Sequence, residues 1–174
     1  TALQAGASLL PVTELMLTLS ASAGEFSSKY GPRIPLTVGP LLLAAGFCLM
    51  AFLRPGQSYW VSVLPSVVVF GLGLAATVAP VTSTVLNAAP AGREGVASGI
   101  NNAVARAAQL IAVAVFPAIA GLSGGEIGDQ QVMLDGFPRA AYAMAAVSAL
   151  GGLLGWAMLK PDREADIAKA DRAT

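Results

Sequence analysis

The chain has 174 residues and balances 10 Lys+Arg against 10 Asp+Glu, with only 11% of its residues charged and 55% hydrophobic. A soluble domain carries about a quarter charged residues. So few charges cannot cover a water-facing surface of this size, and lipid must be the solvent for much of it. With zero net charge, nothing suggests a basic face for nucleic acid. Histidine is absent and Cys48 is the one cysteine, which excludes an internal disulfide and a His/Cys metal cluster; Cys48 reads as a small buried hydrophobe.

Thr1 stands where a start methionine would, and no basic stretch precedes an apolar core, so no signal peptide is read. The sequence reads as beginning partway into a longer protein, with earlier helices expected upstream. A membrane helix needs roughly 20 mainly apolar residues. The first such segment is predicted over 3–23, with Glu14 inside it, and Gly24–Pro35 reads as a polar break. The second is predicted over 36–53, through the run Leu41-Leu42-Leu43-Ala44-Ala45, and ends at the break Arg54–Ser58. The third is predicted over 60–86, holding Pro65, Pro80 and the hydroxyls of Thr77, Thr82, Ser83 and Thr84, before the break Asn87–Gly95. The fourth covers 96–122, and an acidic break over 123–138 carries Glu126, Asp129 and Asp135. The fifth covers 139–159, with Gly151 and Gly155 as a small-xxx-small pair, and a charged tail fills 160–174. These runs are apolar on every side. Barrel strands would alternate apolar and polar residues, so only helices satisfy the backbone here.

Basic residues near helix ends set the orientation. Lys29, Arg33 and Arg93 occupy two connections on one side, and Lys160, Arg163, Lys169 and Arg172 follow the last helix on that same side. The other side holds only Arg54 and Arg139 among its acids. The first set is expected in the cytoplasm, with a cytoplasmic C-terminus in a multi-pass plasma-membrane protein. Tyr59 and Trp60 then mark the outer interface, and Trp156 the inner one.

Charges deep in a bilayer are costly and point to function. Glu14 and Arg106 are the two deep within predicted helices, Arg139 standing at a helix edge. An arginine cannot shed its proton and must find a carboxylate, carbonyls or water. A carboxyl can take up a proton in dry surroundings, since low dielectric favours its neutral form. Glu14 is therefore a candidate proton carrier, or else a protonated structural group. An ion pair with Arg106 is a further hypothesis. Asn102, Arg106 and Gln109 share one helical face, and with Asn101 and Asn87 they form a polar stripe that faces other helices or an aqueous pathway. No catalytic set, metal site or phosphate loop is read, so an enzyme is not expected.

The turn Gly24-Glu25-Phe26-Ser27-Ser28-Lys29-Tyr30-Gly31-Pro32-Arg33 is similar to the G-x-x-x-D-R-x-G-R/P-R motif of the major facilitator superfamily. Gly24, Lys29, Gly31 and Arg33 match or substitute conservatively, while Ser28 stands where the acid belongs. Leu10-Pro11-Val12-Thr13, Gly39-Pro40 and the run Gly95-Val96-Ala97-Ser98-Gly99-Ile100-Asn101-Asn102 leading to Arg106 extend the likeness over nearly the whole chain. Together they resemble the C-terminal part of a fourteen-spanner drug–proton antiporter. The resemblance implies an all-α membrane protein whose five transmembrane helices form most of the C-terminal six-helix bundle. It also implies a cytoplasmic gating role for Lys29 and Arg33; Ser28 leaves the charge-relay part of that role without its acid. The function this implies is efflux of small lipophilic compounds, driven by a proton gradient and no cofactor. The partners are the bilayer, the small-molecule substrate and the N-terminal helices. A polar-metabolite carrier and a non-transporting scaffold or sensor subunit are the alternatives.

Overall fold

A computed structural model describes residues 6, 10–121 and 130–159, apart from the side chains of Ser28 and Gln130. The tail 160–174, with its basic residues, lies outside the described residues, as do Glu126 and Asp129. Among the described residues five long α-helices follow one another: α1 (Leu10–Tyr30), α2 (Arg33–Ala51), α3 (Leu64–Asn87), α4 (Glu94–Ile119) and α5 (Gln130–Met158). No strand occurs among the described residues, and the chain is a helical membrane protein. Among the described residues four helical stretches are long and apolar enough to cross a membrane: Arg33–Ala51, Tyr59–Asn87, Glu94–Ile119 and Gln131–Met158. α1, over its described residues, is not among them; its stretch includes Glu14, Glu25 and Lys29.

Two expected breaks are corrected. The segment Gly24–Tyr30, read as a loop, is the last part of α1, and the connection to α2 is only Gly31 and Pro32. Nothing in Gly24–Tyr30 forbids a helix; Gly31, at φ 87°, takes the left-handed conformation that ends one. Likewise α5 starts at Gln130, so the residues 130–138 that composition placed in a break are helical, with Pro138 inside the helix. Membrane helices tolerate such prolines because neighbouring groups satisfy the freed carbonyls.

α3 is entered through a π turn at Tyr59–Val63. Pro65 has no N–H to offer the preceding turn, and a widened turn is one way a helix absorbs that loss. The buried Ser66 hydroxyl donates to the Val63 carbonyl at 2.7 Å.

Successive helices run in opposite directions. Gly39, Gly46 and Gly73 bring α2 and α3 into backbone contact. A Cβ on Gly46 would lie 2.9 Å from the Phe70 backbone, and one on Gly73 only 2.6 Å from Leu43 N. On the other flank of α2, a Cβ on Gly155 would lie 2.7 Å from the Leu36 carbonyl oxygen, and one on Gly152 2.9 Å from that of Thr37. Around Gly151 there is open space. The close-packed pair is therefore Gly152 and Gly155, three residues apart, and not Gly151 and Gly155. α1 lies along the other side of α3, parallel to it, with Leu15 against Gly71 and Gly24 against Ala79.

Burial is inverted relative to a water-soluble protein. Among the described residues the buried apolar side chains are mostly small: Ala44, Ala51, Ala75, Ala120, Ala140, Ala141 and Ala145, with Val67, Pro35 and Pro80 the larger ones. Leucines, valines and tryptophans such as Leu17, Val61, Trp60 and Leu110 point outward. Small residues inside let helix backbones approach, and large apolar ones outside are what a lipid solvent accepts. α4 is set apart: none of its residues is buried, and it rests only lightly on α3 and α5.

Candidate functional site

Arg106 stands twelve residues after Glu94 and thirteen before Ile119, about 18–20 Å from either end at 1.5 Å per residue. It is the mid-point of an apolar span. Its side chain is exposed, as are those of Asn102 and Gln109, while Asn101 is half-buried. Steps of four and three residues put Asn102, Arg106 and Gln109 within one stripe along α4. Val104 (63% exposed) and Ile111 (63% exposed) lie off that stripe, so α4 has a polar and an apolar face, neither covered by the described helices.

Glu14 is placed by its neighbour. Leu15 Cδ1 and Val12 Cα would lie 3.0 and 3.3 Å from a Cβ on Gly71, which sets Glu14 level with Gly71. Gly71 stands twelve residues after Tyr59 and sixteen before Asn87, so Glu14 lies near mid-depth of the bundle. Its side chain is exposed, off the face that α1 packs on α3. Its carbonyl oxygen accepts the Thr18 hydroxyl at 2.8 Å.

The structure does not join Glu14 to Arg106. α1 and α4 are not packed on one another, and no ion pair links the two side chains. Asn87 is the exposed last residue of α3, at the end of the bundle and about 24 Å along α3 from the mid-depth level of Gly71, so it is separate from the α4 stripe.

The hydroxyls of α3 are occupied within their own helix. Thr77 donates to Gly73 O at 2.7 Å, Thr82 to Val78 O at 3.1 Å, Ser83 to Pro80 O at 3.1 Å and Thr84 to Pro80 O at 2.6 Å. Such back-bonds satisfy a hydroxyl in an apolar medium without water. The polar character of α3 therefore does not require an aqueous lining, unlike the amides and guanidinium of α4.

Of the four expected gating residues, Gly24 lies within α1, Lys29 in its last turn, Gly31 at its end and Arg33 at the start of α2. Lys29 is exposed, with Nζ 5.5 Å from the Tyr30 ring centroid. Arg33 reaches across to α5: its Nε–H donates to the Trp156 carbonyl oxygen at 3.1 Å, and its guanidinium carbon sits 5.1 Å from the Trp156 ring centroid. Sequence reading named Trp156 as an interface anchor and missed this partnership. Two helices 123 residues apart in sequence meet there, and no local pattern encodes that. At the opposite end of the bundle, Arg54, Pro55, Gln131, Leu134, Asp135 and Arg139 border a separate recess of about 530 Å³.

Comparison with known proteins agrees with this architecture. Residues 2–174 match the family model described as Major Facilitator Superfamily. The chain is 29% identical over 143 residues to the tetracenomycin C resistance and export protein of Streptomyces glaucescens, covering 82% of this chain and 26% of that protein. It is also 29% identical over 114 residues to the multidrug resistance protein Stp of Mycobacterium tuberculosis, covering 66% of this chain and 21% of the relative. The chain thus spans about a quarter of the length of these curated relatives. No solved structure matches it. With the family model matching nearly every residue of a helical, lipid-facing chain, the protein belongs to the major facilitator superfamily.

Proposed function

We propose that the chain forms part of a proton-coupled exporter of small lipophilic compounds that works by alternating access. The observation that carries this reading is Arg106, an unshed charge at the mid-point of an apolar span, on a helix face that no described residue covers. A guanidinium at that depth is tolerated beside water, a carboxylate or carbonyls, and transporters of this fold bind substrate near the midplane. The two relatives bear the names of a tetracenomycin C resistance and export protein and a multidrug resistance protein, which supports export over uptake.

In this reading Asn102, Arg106 and Gln109 line the substrate pathway, with Asn101 beside them. Glu14, near the same depth, takes up a proton when its surroundings are dry and releases it when they are wet. Lys29, Gly31 and Arg33 belong to the cytoplasmic gate, and the C-terminus lies in the cytoplasm of the cell membrane. Proteins of this family are carriers and not enzymes as a class. A polar cargo is the second reading, favoured by the two amides flanking Arg106.

The test is dye efflux from cells expressing the full-length protein, with and without an uncoupler. Efflux abolished by the uncoupler, and by Arg106→Gln at unchanged membrane expression, is the expected result. Efflux that ignores both refutes proton-coupled export. Labelling of a cysteine introduced at Lys160 by an impermeant reagent in intact cells would contradict the assigned orientation.

A further inference from the structure

Where α2 begins and α5 ends, Arg33, Ile34, Thr37, Val38 and Trp156 line an open groove of about 270 Å³. It lies at the end of the bundle, away from the mid-depth positions of Arg106 and Glu14. Arg33, the cation among its described lining residues, is held in place: one guanidinium N–H is engaged by the Trp156 carbonyl, and the indole ring lies beside the guanidinium plane. The remaining donors of the fork are taken by no described residue. The Thr37 hydroxyl is already committed to the Arg33 carbonyl at 2.7 Å.

Below the guanidinium, Ile34 (53% exposed), Val38 (46%) and Leu41 (40%) follow at helical spacing down α2. They form an apolar strip from the helix end toward mid-depth. The floor is fixed, because Gly152 and Gly155 hold α5 against the backbone of α2 at Leu36 and Thr37. A fixed cation above a greasy strip is complementary to one kind of molecule, an anion with a hydrocarbon chain beneath it. A soluble anion would leave the strip unused, and a zwitterionic lipid brings its own ammonium to compete with the arginine.

We propose that this groove binds an anionic glycerophospholipid of the adjoining leaflet, its phosphate on the Arg33 guanidinium and one acyl chain along Ile34, Val38 and Leu41. Arginine presents a planar fork that matches two phosphate oxygens, and basic recesses between transmembrane helices are where lipid head groups dock. The inference rests on the chain being membrane-embedded and is independent of what it transports.

Native mass spectrometry of the full-length protein, released from micelles holding equal amounts of phosphatidylglycerol and phosphatidylcholine, tests it. The expected result is about a fivefold preference for phosphatidylglycerol in the first lipid adduct, what one arginine near an anionic lipid supplies. Arg33→Gln removes most of that preference, and Arg54→Gln, at the far end of α2, keeps it. The double change Ile34→Ser with Val38→Ser leaves the cation in place and also weakens the adduct, so a poorly folding Arg33 variant does not decide the matter alone. Equal adducts of the two lipids on the unaltered protein overturn the proposal, as does an unchanged preference in Arg33→Gln. Loss of the phosphatidylglycerol adduct on adding inorganic phosphate would reassign the groove to a soluble anion and equally overturn it.

Discussion

Gly73→Ala is the sharpest test of how α2 and α3 meet. The added Cβ would lie 2.6 Å from Leu43 N, 2.9 Å from Leu43 Cγ and 3.0 Å from Gly39 O. Two of those three atoms are backbone, so no rotamer change relieves the clash. The helices must part until the first distance reaches the 3.4 Å of ordinary contact. Overpacking of this kind costs about 1–3 kcal/mol, and alanine recovers roughly 0.5–1 kcal/mol of it over glycine inside a helix. The net expectation is a loss centred on about 1 kcal/mol and reaching at most about 2.5 kcal/mol, where about 1 kcal/mol is a factor of roughly 5 in the folded-to-unfolded ratio. Gly151→Ala meets nothing within 4 Å and gains the helix term alone, so it should be neutral or stabilising by up to about 1 kcal/mol. Reversible unfolding of the full-length protein in mixed detergent micelles, followed by helical circular dichroism, measures both. Equal stability of the two variants would refute the close α2–α3 contact.

Other expectations follow from the same geometry. In a Cys48→Ser background, Asn102→Cys should react with an impermeant thiol reagent and Val104→Cys, on the apolar face of α4, should not; equal reactivity removes the case for a polar pathway along that helix. Glu14→Gln should leave substrate binding intact, yet make efflux insensitive to an imposed proton gradient; gradient-dependent efflux in the variant ends its role as proton carrier. Thr77→Val and Thr84→Val should each change stability by less than about 1 kcal/mol and leave efflux unaltered, because both hydroxyls are back-bonded within α3. A large transport defect in either would mean that the hydroxyl contacts cargo.

Composition alone disclosed the helical, lipid-dissolved character, because a chain with so few charges has no other way to bury its apolar residues. What it could not disclose was where helices end. Gly24–Tyr30 is polar because α1 continues past the hydrocarbon, and polarity was mistaken for a break in the helix. The break over 123–138 was drawn from its polar and acidic residues, yet 130–138 are helical, and Pro138 sits inside the helix, where other groups satisfy a freed carbonyl. Choosing Gly151 over Gly152 was a matter of one residue, or 100° of helix face, and only the partner helix decides it. The hydroxyls of α3 and the amides of α4 look alike in sequence. They separate once hydrogen bonds are known, since a threonine can bond its own helix through a short side chain and an arginine at mid-span cannot. Arg33 was singled out through its motif, whereas its partner Trp156 required the fold.

The two-residue link between α1 and α2 has a mechanical corollary. Gly31 is buried with its backbone in the left-handed region, and Pro32, whose ring fixes φ, stands at −76° immediately before α2. Such a joint has almost no slack, so α1 and α2 cannot slide past each other by a helical turn. Tilting α2 must drag the base of α1 with it. A displacement begun beside Trp156 would thus be delivered, as leverage along α1, to the depth at which Glu14 sits.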